Sequence, residues 1–264
     1  MLVTEVMKNT MLWYSGNMTQ VWVYSLASVG LISLISLIGV FALGINEARL
    51  KGILSYLISF SAGALLGDAF LHIIPEATEQ GGIFNTSSYL LVGIIIFFLL
   101  ERFFRWHHSH TSHEESIHAE VYLTIFGDVL HNFIDGVAIA ASFLVSFELG
   151  LATTLAVILH EIPQEVGQFG ILVHGGWSPR KALLYNFLSA LSAVAGALAV
   201  LLFANNFDGF NNVLLVFGAA GFIYVALSDL IPELQKERNH RRSLTESLCM
   251  IIGVILMSLL LLLE

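Results

Sequence analysis

Two short stretches of the sequence place histidine and carboxylate side chains inside otherwise apolar segments. "HNFIDG" begins at His131 and "HEIPQE" begins at His160. In a helix, His131 and Asp135 lie four residues apart on one face. Imidazole with carboxylate suits zinc, iron, manganese or cobalt, whereas oxygen ligands alone would favour calcium or magnesium, and thiolates copper(I). The two stretches predict a metal site of three or four ligands, with one imidazole from each helix.

The alternative is a proton relay or a structural network in which buried carboxylates stay protonated. Each ionisable residue at a bilayer centre costs about 2.5–3.5 kcal/mol, so four acids facing lipid would cost roughly 10 kcal/mol. These acids are Asp128, Asp135, Glu161 and Glu165. They must face inward and be paired, yet their two segments contain no Lys or Arg. The missing positive charge comes from protons or a bound cation, and the number of polar groups on two consecutive helices favours a metal ion.

The elements that carry these residues are predicted to be transmembrane helices. The chain of 264 residues is 56% hydrophobic and 12% charged, and its mean hydropathy is +0.81. Such values exclude an ordinary soluble domain and indicate a polytopic membrane protein. We predict one all-α transmembrane domain over residues 1–264. Its eight spans lie at about 21–43, 53–74, 87–104, 121–147, 149–174, 182–204, 212–231 and 244–263.

The basic residues predict the orientation of these spans. Ten of the eleven Lys and Arg residues fall in alternate loops, those that follow spans 1, 3, 5 and 7. Short cytoplasmic loops collect Lys and Arg. We therefore expect an integral protein of the plasma or inner membrane with both termini on the non-cytoplasmic side. The net charge of −9 indicates no particular partner, and we expect no nucleic-acid binding.

A repeated signature ends the second and seventh spans. His72-Ile-Ile-Pro-Glu76 and Asp229-Leu-Ile-Pro-Glu233 share a polar residue, two aliphatic residues and Pro-Glu. The charge distribution places these signatures at opposite faces of the membrane. Inverted repeats would explain that placement and are typical of transporters. The simpler explanation is that proline ends both helices.

Further polar residues are candidates for a metal pathway or for support of the ligands. Asp68 and His72 share one helix face and either line an outer approach or stabilise helix contacts. Ser189 and Ser192 lie among small residues, which are more typical of close helix packing. The pathway candidates are Asp68, His72, Asp128, Glu165, Gln168, Asn186 and Asp229.

The predicted cytoplasmic loop at 105–120 is rich in histidine. It contains His107, His108, His110, His113 and His118. By composition, a histidine-rich tract indicates metal binding, and an ordinary polar loop is the alternative.

Four motifs together resemble the ZIP (Zrt-, Irt-like) metal transporters. "HNFIDGVAIAASF" (131–143) and "HEIPQEVGQFGILV" (160–173) are similar to that family's fourth and fifth helices. "FSAGALLGDAFLHIIPEA" (60–77) and "GAAGFIYVALSDLIPEL" (218–234) resemble its second and seventh helices. The resemblance implies eight helices with both termini outside, and inverted repeats of helices 1–3 and 6–8 around helices 4 and 5. It also implies frequent homodimers and import of a divalent metal, typically zinc, into the cytosol.

The resemblance also implies which side chains bind the ion, in a centre that holds two metals. The implied ligands are His131, Asn132, Asp135, His160, Glu161 and Gln164. Two positions depart from the family pattern. Gln164 stands where relatives often have His or Glu, which puts a second metal in doubt, and Gln168 stands where they often have an acid.

The expected function is transport of zinc, with iron, manganese, cobalt and cadmium as further candidates, by alternating access. A metal-dependent hydrolase within the membrane is one alternative. "HEIPQ" approaches the zinc-protease pattern, but Gln164 replaces the second histidine and Pro163 disturbs the helix. A metal sensor without transport and a proton-coupled carrier of an organic solute are the others. We predict that the chain is not an enzyme.

Overall fold

The computed structural model is a bundle of helices. It describes residues 18–39, 47–107, 113–174, 176–203 and 210–262, with the side chains of 47–52, 104–107, 113–124, 174 and 210 left out of the description. These residues contain no strand, so the predicted all-α class is confirmed for the part described. The α-helices are α1 (Met18–Ile35), α2 (Glu47–Gly67), α3 (Ile74–Gly81), α4 (Ile83–His107), α5 (His113–Val145), α6 (Phe147–His174), α7 (Pro179–Ala190), α8 (Ser192–Phe203), α9 (Phe210–Val225), α10 (Ile231–Leu234) and α11 (His240–Leu260).

Seven helical segments are long and apolar enough to cross a membrane. They are Met18–Ile38, Ile53–Gly81, Ile83–Phe103, Ile125–Val145, Pro179–Phe203, Asn211–Leu234 and His240–Leu260. The remaining long helix, α6, has 28 residues and corresponds to the fifth predicted span. Its imidazole, carboxylate and amide side chains lower its hydropathy. Because α6 is largely enclosed by other helices, these groups avoid lipid.

Two π-helical turns interrupt the second and seventh predicted spans. Asp68–Ile73 joins α2 to α3, and Ala226–Leu230 joins α9 to α10. A proline is the second residue of the helix after each turn. Proline has no backbone N–H and its ring presses against the carbonyl of the preceding turn, so the backbone widens there. The repeated signature therefore marks the same backbone feature in both halves, and it continues the helix rather than ending it.

The helix contacts follow the same internal symmetry. In the first half α2 packs against α6, and in the second half α9 packs against α5. Likewise, α1 contacts α6 while α8 contacts α5, and α2 contacts α11 while α9 contacts α4. If the helices of the first half are exchanged with those of the second, and α5 with α6, each of these contacts corresponds to another one in the set. This arrangement leaves α5 and α6 at the centre of the bundle.

Glycines allow α5 and α8 to approach closely. A Cβ added to Gly136 would lie 1.9 Å from the Ala193 carbonyl oxygen, and one on Gly196 would lie 2.0 Å from that of Phe133. Small residues of this kind let helix backbones touch within a bilayer. The rotation of α5 about its axis, and so the direction of its polar residues, is held by this contact.

The histidine-rich segment is more helical than predicted. The backbone of α4 continues to His107 and that of α5 begins at His113. His108 and His110 fall outside the described residues, and so do the side chains of His107, His113 and His118. Metal binding by this segment stays a prediction.

Candidate metal site

Four side chains of α5 and α6 direct nitrogen and oxygen atoms at a common point. They are His131, Asp135, His160 and Glu161, here called the four-ligand cluster, and one donor atom from each lies within 4.8 Å of the others. The two imidazole Nε2 atoms are 3.0 Å apart. His131 Nε2 lies 3.4 Å from Asp135 Oδ2 and 3.2 Å from Glu161 Oε1. His160 Nε2 lies 3.3 Å and 3.4 Å from the same two oxygens.

These spacings fit a tetrahedral metal ion. Zinc–ligand distances of about 2.0–2.1 Å place neighbouring donor atoms about 3.3 Å apart in a tetrahedron. Five of the six donor–donor separations are given above, and they range from 3.0 to 3.4 Å. Two nitrogens and two oxygens at such spacing can enclose a zinc-sized ion with little rearrangement.

The His160 ring is held in the orientation that a ligand needs. Its Nδ1 lies 3.1 Å from the Ala156 carbonyl oxygen, one helical turn earlier. A proton on Nδ1 that is donated to this carbonyl leaves the Nε2 lone pair free for a metal ion. The Phe222 ring, tilted by 65° at a centroid distance of 6.1 Å, packs against the imidazole.

Burial of the four-ligand cluster is almost complete. The side chains of Asp135, His160 and Glu161 are at most 1% exposed, while that of His131 is 11% exposed. Among the described residues, no donor meets Asp135 Oδ2 or either Glu161 oxygen in hydrogen-bonding geometry. Buried carboxylates without donors are costly unless a cation neutralises them. The cluster is therefore suited to a divalent ion, and His131 is its most accessible member.

The other two predicted ligands, Asn132 and Gln164, contact Asp128 with their side chains. Asn132 is fully buried, and its Nδ2 donates to the Asp128 carbonyl oxygen at 3.2 Å. Gln164 is half-buried and its side chain contacts the Asp128 carboxyl group. Metal binding by Asn132 and Gln164 stays a prediction.

Three pathway candidates lie beside the four-ligand cluster, where α7 packs against α5 and α6. Asn186 on α7 donates from its side-chain nitrogen to the Glu165 carboxylate and to the Ser36 carbonyl oxygen at 3.1 Å. Ser189, for which the sequence favoured helix packing, donates to Asp128 Oδ2 at 2.5 Å. The spacing of Asn186 and Ser189, three residues apart on one helix face, is the only sequence signal for this role.

The remaining pathway candidates are not part of the four-ligand cluster. Asp68 and His72 are buried in the first π-helical turn, and His72 Nε2 lies 2.9 Å from the Met257 carbonyl oxygen. Asp229 is exposed in the second π-helical turn, where Ser228 donates to it at 3.1 Å. Gln168 is buried on α6. Whether an ion passes these residues stays a prediction.

The fold and the site together define a class of protein. A polytopic helical membrane protein that encloses imidazoles and unpaired carboxylates at its centre is one that handles a divalent metal ion. A family model described as ZIP zinc transporter matches residues 19–120 and 107–261. The chain belongs to the ZIP zinc transporter family, as the sequence motifs predicted.

Relatives from several animals support the family assignment. The zinc transporter SLC39A7 of Homo sapiens is 32% identical over 332 residues, covering 90% of this chain and 70% of the relative. The zinc transporter zipt-7.2 of Caenorhabditis elegans is 31% identical, with 91% and 66% covered. The zinc transporter ZIP13 of Pongo abelii is 34% identical, with 78% and 66% covered.

The chain thus spans 66% to 70% of the length of these relatives. All three are named transporters, which agrees with the prediction that this chain is not an enzyme. The family supports divalent metal transport as the general activity.

Proposed function

We propose that this protein carries zinc into the cytosol and that the four-ligand cluster holds the ion during transport. The observation that carries the proposal is the convergence of two Nε2 atoms and two carboxylate oxygens at 3.0 to 3.4 Å. Membership of the ZIP zinc transporter family supports the same cargo. Iron, manganese, cobalt and cadmium are the further candidates, since imidazole with carboxylate also binds other divalent transition metals.

The chemistry of the four-ligand cluster explains how an ion would enter a bundle of apolar helices. The imidazoles and carboxylates replace water ligands, and Asp135 with Glu161 supplies two negative charges for one dication. His131 is the most accessible of the four ligands, so we propose that it meets the ion first. The surrounding helices then expose the occupied cluster to one side of the membrane at a time.

Hydrogen bonds tie several helices to α5 and α6 and suggest which parts move together. Ser192 donates to the Val129 carbonyl oxygen at 2.7 Å, linking α8 to α5. Ser33 donates to the Ala190 carbonyl oxygen at 3.0 Å, linking α1 to α7. We propose that α1, α5, α6, α7 and α8 move as one unit that carries the ion.

The membrane, orientation and assembly are part of the proposal. The distribution of Lys and Arg supports a cell membrane location with both termini on the non-cytoplasmic side. We propose one transmembrane transport domain and a homodimer, following the family resemblance. The histidine-rich segment at 105–120 would then lie where zinc reaches the cytosol.

Zinc uptake by proteoliposomes tests the proposed function. Purified protein is reconstituted with a zinc-sensitive dye inside, and an inward zinc gradient is applied to the wild type, His131→Ala and Asp135→Ala. We expect saturable uptake by the wild type and its loss in both variants. Glu79→Gln is the matched control, because Glu79 is an exposed carboxylate outside the four-ligand cluster, and it should transport like the wild type.

Two results would contradict this proposal. Uptake that survives in both variants would mean that the four-ligand cluster is not the transport site. Absence of uptake by folded wild type, with zinc bound at the four-ligand cluster, would favour a metal sensor.

A further inference from the structure

One ion at the four-ligand cluster leaves two further buried carboxyl groups on α5 and α6, which need either protons or a second cation. One dication there would balance Asp135 and Glu161. Asp128 and Glu165 are also buried on α5 and α6, with exposed fractions of 5% and 0%. The sequence contains no Lys or Arg from residue 106 to residue 179, so neither helix core supplies a permanent positive charge.

The basic residues nearest in sequence, at the start of α7, are directed elsewhere. Arg180 is exposed. The Lys181 ammonium group lies over the Trp177 ring, 3.7 Å from its centroid. The Lys181 ammonium group therefore makes a cation–π contact with Trp177.

Asp128 and Glu165 lie on the same side of the four-ligand cluster. Asp128 precedes His131 by three residues on α5, and Glu165 follows Glu161 by four residues on α6. The two predicted crossings are consecutive and therefore antiparallel, so both carboxylates are displaced the same way by about one helical turn of 5.4 Å. The two carboxylates interact electrostatically with each other and with Glu161.

Side chains of α7 hold both carboxylates in place. The Ser189 hydroxyl group donates to Asp128 Oδ2 at 2.5 Å. The Asn186 side-chain nitrogen donates to the Glu165 carboxylate and to the Glu165 carbonyl oxygen at 3.3 Å. Since α7 contributes two such donors, the positions of Asp128 and Glu165 depend on a third helix.

Two buried oxygen atoms in this group remain available to a ligand. Glu165 Oε1 and Asn186 Oδ1 belong to fully buried side chains, and within the described residues no donor meets either atom in hydrogen-bonding geometry. The Glu165 carboxyl group also contacts that of Glu161, so the two groups of ligands adjoin each other. Asn186 is directed into the group by its bond to Glu165. An amide oxygen beside two carboxylates is a typical ligand set for a cation.

We propose that Asp128, Gln164, Glu165 and Asn186 form a second divalent-cation site, here called the oxygen cluster. Asp128 and Glu165 supply the charge, Gln164 and Asn186 supply amide oxygens, and Ser189 is a positioning residue. This site shares Gln164 with the two-metal centre that the family resemblance implies, but its charged ligands are Asp128 and Glu165 instead of Asp135 and Glu161. In the proposed orientation it lies one helical turn on the cytoplasmic side of the four-ligand cluster.

The chemistry of the oxygen cluster gives it a role in transport. Oxygen ligands without imidazole suit manganese, magnesium and calcium better than zinc. Zinc would therefore be held more weakly there than at the four-ligand cluster. An ion that leaves the four-ligand cluster would occupy the oxygen cluster briefly before release, because conduction needs sites that bind weakly enough to let go. This role rests on the proposed function.

Manganese binding to the zinc-loaded protein tests the oxygen cluster. The full-length protein receives one equivalent of zinc, and Mn²⁺ is then titrated while the electron paramagnetic resonance signal of free Mn²⁺ is recorded. We expect the wild type to bind one additional Mn²⁺. Asp128→Asn and Glu165→Gln keep the side-chain shape but remove the charge, so each should weaken Mn²⁺ binding at least about a hundredfold, beyond the range typical of outer-shell changes.

Two further variants complete the experiment. Ser189→Ala removes only the hydroxyl group that positions Asp128, so we expect a loss of Mn²⁺ affinity of about tenfold. If a carboxylate variant fails to fold, Ser189→Ala still tests whether Mn²⁺ binding depends on Asp128. The control Glu79→Gln changes an exposed carboxylate and should bind Mn²⁺ like the wild type.

The outcomes separate the oxygen cluster from the proposed function. If zinc-loaded wild type binds no Mn²⁺, or if Asp128→Asn and Glu165→Gln bind it as tightly as the wild type, the oxygen cluster is refuted. Zinc uptake that depends on His131 and Asp135 would still stand in that case. Failure of the proposed function would appear instead as absent uptake by the wild type.

Discussion

At the scale of single residues, the four-ligand cluster concentrates two carboxylates in a part of the chain that has no Lys or Arg from residue 106 to residue 179. Glu161 is fully buried, and the groups nearest to its charge are the imidazole Nε2 atoms of His131 and His160, 3.2 Å and 3.4 Å from Oε1 and outside hydrogen-bonding geometry. Such a group destabilises the metal-free protein and stabilises the metal-bound one. The same residue thus links folding to metal binding.

Replacing Glu161 with glutamine should change the thermal stability in opposite directions with and without metal. We expect Glu161→Gln to unfold at a higher temperature than the wild type in a chelator at a pH where the imidazoles are neutral, because a buried charge that no cation balances is gone. Zinc at a hundredfold excess over its Kd should stabilise the wild type by about 2.7 kcal/mol. The variant should show a much smaller increase in thermal unfolding temperature, measured in detergent by intrinsic fluorescence.

The control for this prediction is Glu79→Gln, which should respond to chelator and zinc like the wild type. A metal-free Glu161→Gln protein that unfolds at a lower temperature than the wild type would contradict the argument. Glu161 would then have a stabilising partner in the absence of metal.

At the scale of secondary-structure elements, the orientation of α5 decides which of its polar residues meet α6. Gly136 of α5 and Gly196 of α8 each face a backbone carbonyl oxygen across the helix contact. Gly127, on the same helix as Gly136, has no atom within 4 Å of the position its Cβ would occupy. The two glycines of α5 therefore form a matched pair for mutation.

Gly136→Ala should push α5 away from α8, while Gly127→Ala should be tolerated. We expect Gly136→Ala to lower the free energy of unfolding by about 1–3 kcal/mol, the usual cost of overpacking. Because the shift also rotates His131 and Asp135, zinc affinity should fall with stability. Thermal unfolding and zinc titration of both variants check this, and equal behaviour of the two alanine variants would contradict it.

The helices and the polar face of the site could be predicted from the sequence, because hydropathy and helical periodicity are local properties. The convergence of His131 and Asp135 on α5 with His160 and Glu161 on α6 follows from spacing once the two helices are neighbours. The contact between Asn132 and Asp128 could not be predicted, because the rotation of each helix depends on its packing against other helices.

Some features depend on contacts that periodicity does not encode. Ser189 and Asn186 meet Asp128 and Glu165 only because α7 packs against both central helices. The π-helical turns before Pro75 and Pro232 were also missed, although both prolines were visible as possible helix ends. A proline in the sequence does not show whether the helix ends there or continues through a π-helical turn.

At the scale of the whole molecule, the proposed topology places the two π-helical turns toward opposite sides of the membrane. Five successive crossings separate the second span from the seventh, so the two run in opposite directions if every span crosses. The same count of crossings places the loop after α3 and the loop after α10 on opposite sides of the membrane.

Cysteine labelling should reveal this topology. Cys249 is the single cysteine of the chain, so a Cys249→Ser background allows one new cysteine at a time. We expect Glu79→Cys to react with a membrane-impermeant maleimide from outside intact cells. Lys236→Cys, at a side chain that is 72% exposed, should react only after the membrane is opened. The reverse pattern would invert the proposed direction of transport.

Zinc K-edge X-ray absorption of the protein with one equivalent of zinc tests the central claim most directly. The proposed cluster predicts four nitrogen or oxygen neighbours at about 2.0–2.1 Å, with the outer scattering of two imidazole rings. A variant that combines His131→Ala and His160→Ala should lose the imidazole scattering. A sulfur neighbour, a shell of six oxygens, or imidazole scattering that persists in the double variant would contradict the claim that these residues hold the transported ion.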